Sequence, residues 1–160
     1  MNFNSPEQEL IYLLSEKNMT LSVVESCTGG LISKMITDVA GSSKVFLGSV
    51  IAYSDKSKTD ILKIEKELLY SKGAVSEEVA LKMVESVSQI FNSDFSISAT
   101  GIAGPDGGSV EKPIGTVYTG FKHKTDCKVV KHNFVGVREK IRFDTAVYCI
   151  NQLIVYLRTL

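Results

Sequence analysis

Neither sign of charge prevails in this chain: 18 lysines and arginines offset 18 aspartates and glutamates, for a formal net charge of zero. A broad basic face for nucleic acid or for an anionic membrane is therefore not expected, although a local cluster can still hold one phosphate. Long apolar runs are missing as well. No segment approaches the roughly 20 apolar residues that span a bilayer. Met1 to Glu9 is polar and lacks the apolar centre of a signal peptide. Cysteine is scarce. Cys27, Cys127 and Cys149 are an odd number at spacings that suit no metal, so reduced thiols in a cytoplasm are the expectation. His123 and His132 likewise have no partner at metal spacing, and no metal site is expected. The 160 residues, 44% of them apolar, suffice for a single soluble domain over residues 1–160 with a full core.

Against these absences stands one dense stretch, Glu25-Ser26-Cys27-Thr28-Gly29-Gly30. It follows an apolar run read as a strand over Leu21–Glu25 and precedes a helical pattern through Leu31, Ile32, Met35, Ile36 and Val39. A strand that turns through Gly-Gly into a helix sets small polar side chains at a strand's carboxyl end. It also leaves the first helical N–H groups open to an anion or an oxyanion. Ser26, Cys27 and Thr28 are all candidate nucleophiles or binding groups. Cys27 is equally a small buried hydrophobe, and Thr28 reads best as the helix N-cap. A second glycine-rich loop, Thr100 to Gly108, follows an alternating strand over Phe95–Ala99. It lacks a P-loop lysine and is no Walker motif, but it lies between two sheet elements, where ligands bind in α/β folds.

The remaining elements alternate. Ser5-Pro6-Glu7-Gln8 starts a helix, with Ser5 as cap and Gln8 completing a capping box. Gly48–Tyr53 reads as a buried strand, and Ser54 or Asp55 caps a short helix carrying Lys58, Ile61 and Leu62. Gly73 breaks the pattern, and Ser76 caps a strong helix through Ile90. Gly115–Phe121 and Cys127–Val135 form a hairpin, and a last helix runs from about Val137 to Leu157. Early alternation with a late hairpin predicts a single three-layer α/β/α domain with a mixed sheet.

Two sets of cations carry possible chemistry. Lys58, in the first turn of its helix, would lose basicity to the dipole and to any burial, giving a neutral amine able to activate a serine. The plainer reading of the residues alone is a solvated surface lysine beside Lys56 and Lys63. Arg138 and Arg142, four apart at the start of the last helix, suit a phosphate. They suit a solvated helix start paired with Glu139 or Asp144 equally well.

The order of Glu25 to Gly30, Asp38-Val39-Ala40-Gly41-Ser42-Ser43, Tyr53-Ser54, Gly73-Ala74-Val75-Ser76, Thr100 to Gly108 and Lys112-Pro113-Ile114-Gly115-Thr116-Val117 covers nearly the whole chain. It resembles the nicotinamide-nucleotide amidohydrolases (NMN deamidases), the C-terminal domain of the competence-damage-inducible protein CinA. The resemblance implies hydrolysis of the carboxamide of nicotinamide mononucleotide to the carboxylate with release of ammonia. It implies Ser26 as nucleophile and Lys58 as base, with Tyr53 and Thr100 lining the site beside Gly101. The Thr28, Gly29 and Gly30 turn would hold the oxyanion, and Arg138 or Arg142 would hold the phosphate. The partner implied is a small-molecule pyridine nucleotide; no cofactor or metal is needed, and many members form dimers, so a homodimer is expected. Some relatives carry a further N-terminal domain resembling molybdopterin-binding proteins; this chain is too short to include it, and its pyrophosphatase activity is expected to be absent. Alternatives are a non-catalytic nucleotide-binding or regulatory module on the same fold, or a Ser–Lys amidase or esterase with another substrate.

Overall fold

The computed structural model describes residues 3–160. The chain runs α1 (Pro6–Glu16), β1 (Leu21–Glu25), α2 (Leu31–Thr37), a 3-10 turn (Ser42–Lys44), β2 (Phe46–Ile51), α3 (Asp55–Asp60), α4 (Lys66–Lys72), α5 (Glu77–Phe91), β3 (Phe95–Gly101), β4 (Thr116–His123), β5 (Asp126–Asn133) and α6 (Arg138–Thr159). The five strands lie in the order β2-β1-β3-β4-β5. β1 is parallel to both β2 and β3, and β4 and β5 close the sheet as an antiparallel hairpin. The mixed sheet and three layers agree with the pattern of the sequence. Among the described residues no helix is long and apolar enough to cross a membrane.

Alternation along β1 divides the core. Val23 faces α1, α2 and α6, together with Leu10, Leu14, Ile32, Ile36, Ala146, Ile150, Leu153 and Leu157. Val24 faces the other way, toward Leu62, Leu69, Val79, Met83 and Val87 of the α4–α5 layer. This is the period-two arrangement of a sheet buried on both faces. The α5 face lies close against the strands. Ser98 donates its hydroxyl to the Ala80 carbonyl at 2.7 Å. A Cβ on Gly120 would sit 2.4 Å from Ser98 Oγ and 3.1 Å from the Ala80 oxygen, so only glycine fits there.

Four details depart from the sequence reading. β2, expected to be buried, is the edge strand and is half-exposed, because its outer side has no neighbour. α4 has no counterpart in the sequence reading; its seven residues hold too few apolar positions to set a period. In α1, Ser5 accepts from the Gln8 N–H as expected, but the Gln8 side chain accepts from the Asn4 N–H rather than from that of Ser5, so the box closes one residue early. Finally, β1 and β2 pair with one irregularity: Leu21 lies opposite Phe46 and Ser22 opposite Gly48, leaving Leu47 as an extra residue.

Candidate active site

The carboxyl ends of β1, β2 and β3 lie side by side, the usual place for a ligand crevice in an open α/β sheet. The residue after β1 is Ser26, whose N–H donates to the Ala99 carbonyl of β3 at 2.9 Å. The chain leaving β2 enters α3 through a capping box, in which the Ser54 hydroxyl accepts from the Ser57 N–H and the Ser57 hydroxyl accepts from the Ser54 N–H. That cap fixes the orientation of a helix only six residues long and turns Lys58 inward.

Lys58 is 1% exposed, which rules out the solvated surface lysine. It is the fourth residue of α3 and belongs to its last turn rather than its first, so the expected contribution of the helix dipole falls away and burial remains. Its Nζ lies 3.1 Å from Ser26 Oγ, 2.9 Å from the Ala52 carbonyl and 3.2 Å from the Tyr53 carbonyl. A neutral amine has two N–H donors and one lone pair. The two carbonyls can take both donors, which leaves the lone pair for the Ser26 hydroxyl. Burial holds the Lys58 pKa below the ordinary lysine value. Asp55 opposes this, its negative charge favouring the ammonium.

That opposition gives a testable sign. If Ser26 is activated by neutral Lys58, the rate at which a fluorophosphonate labels Ser26 rises with pH as the ammonium loses its proton. Asp55→Asn removes the charge that favours the ammonium, so the rise moves to lower pH. Intact-mass labelling rates across pH would measure this, and an unmoved or upward-shifted rise would disconnect Asp55 from Lys58.

Ser26 and Lys58 open onto a cavity of about 180 Å³ lined also by Cys27, Tyr53, Asp55, Ala74, Val75, Thr100, Gly101, Ala103 and Arg138. Thr100 is buried and donates its hydroxyl to the Ala74 carbonyl at 2.8 Å. Tyr53, 59% exposed, stands at the mouth. Arg138 reaches across from the first residue of α6, donating to the Tyr53 hydroxyl at 3.0 Å and to the Gly104 carbonyl at 2.8 Å. Burial pushes the Cys27 thiol up to about 12, so it stays protonated near neutrality and makes a poor nucleophile.

The other residues anticipated from the sequence lie elsewhere. Arg142 does not line the cavity; it donates from Nε to the Cys27 carbonyl at 3.2 Å and from a terminal nitrogen to the Thr28 carbonyl at 2.7 Å. Neither arginine pairs with Glu139 or Asp144; Lys140 takes Asp144 instead. Thr28 is buried but is not the N-cap of α2. That position belongs to Gly30 at φ 97°, and the Thr28 hydroxyl has no partner among the described residues.

The expected open helix start is closed. The carboxylate of Glu25, fully buried, accepts from the N–H groups of Gly30, Ile32 and Ser33 and from the Ser33 hydroxyl, at 2.6–3.1 Å. The Gly29 N–H donates to the Ser26 carbonyl and the Leu31 N–H to the Thr28 carbonyl. Gly29 and Gly30 therefore have no free donor for an oxyanion. Sequence reasoning missed Glu25 because capping rules look for an acid after the cap, whereas this one reaches forward from the preceding strand.

Comparison with known proteins points to one family. The family model described as the CinA C-terminal domain matches residues 4–157. A CinA-like protein of Geotalea daltonii is 46% identical over 88% of this chain and 34% of its own length. A protein of Thermoanaerobacter sp. (strain X514), provisionally named a competence-damage inducible protein, is 48% identical over 91% of this chain and 35% of its own. The chain thus spans about a third of the length of these curated relatives. The crystal structure of the competence/damage inducible protein CihA from Agrobacterium tumefaciens superposes with a TM-score of 0.91 at 33% identity, covering 99% of both chains.

Proposed function

The chain belongs to the CinA C-terminal domain family, and on that premise we propose that it hydrolyses the carboxamide of nicotinamide mononucleotide to nicotinate mononucleotide and ammonia. The observation that carries this reading is the contact of 3.1 Å between Ser26 Oγ and the Nζ of a buried lysine, at the wall of a cavity.

The chemistry follows from that contact. Neutral Lys58 takes the Ser26 proton as Oγ bonds to the amide carbon, giving a tetrahedral oxyanion. The resulting ammonium returns the proton to the departing nitrogen. The C–N bond breaks, ammonia leaves and an acyl-serine remains. Water then attacks with Lys58 taking one of its protons, the C–O bond to Ser26 breaks as the ammonium passes that proton to the serine oxygen, and the carboxylic acid product gives its remaining proton to solvent and departs as the carboxylate. The pyridinium ring withdraws electrons from the carboxamide and favours both attacks.

A cavity of about 180 Å³ is sized for the ring and its carboxamide. The ribose phosphate would extend to the mouth, where Arg138 and Tyr53 are exposed. Of the two arginines, Arg138 therefore suits the phosphate, and binding there would orient the reacting group. Asp55 adds one negative charge to the same wall, complementary to a cationic ring.

An ammonia-release assay with nicotinamide mononucleotide tests the reading directly; no release above the uncatalysed rate would refute it. The phosphate assignment has its own test. Arg138→Gln should raise KM for the mononucleotide by about 10- to 100-fold, the loss of one charged hydrogen-bonded contact. It should leave nicotinamide riboside, which has no phosphate, nearly unaffected. Equal losses on the two substrates would remove Arg138 from the phosphate.

A further inference from the structure

We infer that Arg142 is a positioning residue that builds the oxyanion site from the backbone N–H groups of Cys27 and Thr28. The inference rests on the amidase reading of Ser26 and adds to it the source of oxyanion stabilisation.

The geometry is one of peptide directions. In a trans peptide the C=O of one residue and the N–H of the next point opposite ways. The Ser26 carbonyl accepts from the Gly29 N–H at 3.1 Å, so the Cys27 N–H points away from Gly29. The Cys27 carbonyl accepts from Arg142, so the Thr28 N–H points away from Arg142. Arg142 is half-buried and does not line the cavity; Ser26 and Cys27 do, and Thr28 is fully buried directly after them. Among the described residues neither the Cys27 nor the Thr28 N–H has an acceptor in another residue. The donors that follow are all taken: Gly29 by Ser26, Gly30, Ile32 and Ser33 by Glu25, and Leu31 by Thr28.

Two adjacent N–H groups beside Ser26, neither with an acceptor in another residue, would serve as an anion-holding concavity. Arg142 grips two successive carbonyls through Nε and a terminal nitrogen: its hold on Cys27 aims the Thr28 N–H, and its hold on Thr28 aims the Gly29 N–H, whose bond to the Ser26 carbonyl in turn aims the Cys27 N–H. A lysine at the same place offers a single point charge and cannot reproduce that fork. Gly29 has a φ of 57°, and a Cβ at that position would lie 3.4 Å from the Arg142 terminal nitrogen, so the guanidinium packs directly against the turn.

The experiment compares wild type, Arg142→Ala and Arg142→Lys by two readouts: the rate of Ser26 labelling by a fluorophosphonate, and steady-state ammonia release from nicotinamide mononucleotide and from nicotinamide riboside. Arg142→Ala is expected to slow labelling and to lower kcat on both substrates about 100-fold, the scale of one lost oxyanion donor, with KM for the mononucleotide within about twofold. Millimolar guanidinium chloride should restore much of this, and sodium chloride at equal ionic strength should not. If the alanine variant does not fold, the lysine variant carries the comparison, with a smaller loss in the same direction.

A loss confined to KM for the phosphate-bearing substrate would overturn the inference and return Arg142 to phosphate binding. Unchanged labelling and kcat in a folded variant would overturn it equally. If the wild type labels at Ser26 yet releases no ammonia, the substrate assignment fails while slowed labelling in Arg142→Ala still supports the oxyanion site.

Discussion

Ser26→Ala should lower ammonia release from nicotinamide mononucleotide by about 10⁴-fold or more, the scale seen when a nucleophile that works as a unit with its base is deleted. The fold should survive. Ser26 is held by its own N–H to the Ala99 carbonyl, a contact alanine keeps, and the lost hydroxyl leaves Lys58 with its two carbonyl acceptors. A melting temperature within a few degrees of wild type is expected, as for a change of about 1 kcal/mol or less. The variant should still bind the substrate, which separates chemistry from recognition. Near-normal turnover in a folded Ser26→Ala protein would remove the hydroxyl from the reaction.

Replacing Lys58 should be almost as damaging. Lys58→Arg keeps a cation but stays protonated at any pH the protein tolerates, so it cannot accept the Ser26 proton. Lys58→Met keeps an unbranched chain of similar reach with neither charge nor base. Both should lose about 10³-fold or more in kcat, combining the loss of general-base catalysis with that of an activated nucleophile.

The two variants differ in stability. The arginine buries an obligate charge where lysine can be neutral. The methionine leaves the Ala52 and Tyr53 carbonyls without their donor, about 1–3 kcal/mol for each buried group left unpaired. Thermal unfolding distinguishes these penalties from catalysis. Substantial activity in Lys58→Met would mean that Ser26 is activated by another group. The pH dependence of stability has a matching sign: a lysine with a depressed folded pKa binds fewer protons folded than unfolded, so it adds stability as pH rises from that depressed value toward 10.5. Lys58→Met should flatten that rise.

Much of the architecture is legible in the sequence because the patterns that specify it are local. β1 reads with its observed bounds, since an apolar run ends at a Gly-Gly turn; Ser5 and Ser76 cap the helices assigned to them, and of the two residues offered for α3, Ser54 is the cap. The hairpin reads a little short at its turn, because β4 and β5 extend to His123 and Asp126 across only two intervening residues.

What escapes depends on distance in space. No periodicity says that the strand through Gly48 has an open side, which is a matter of strand order. The chain around Lys58 reads as a polar helix, and its inward direction is set by the cap at Ser54 and the carbonyls that meet Nζ. The arginines look alike four residues apart, yet one reaches the cavity and the other the back of a turn, a separation decided by where β1 delivers its loop. Glu25 is hidden for the same reason, its acceptors satisfied by a helix that begins six residues later.

The register that β2 regains after the unpaired Leu47 acts as a spacer between chemical groups. β1 brings the Ser26 hydroxyl to the rim and β2 brings the chain that carries the Lys58 amine, so their relative slide sets the gap between the two groups. One residue along a strand is about 3.3 Å, as long as the contact itself, and also inverts the facing of every side chain. Taking out Leu47 would straighten the strand and leave Gly48–Ile51 opposite Ser22–Glu25, whereas removing a residue beyond it would drag Tyr53 and Lys58 out of step with Ser26, so an apparently silent edge of the sheet holds the hydroxyl and the amine in reach of each other.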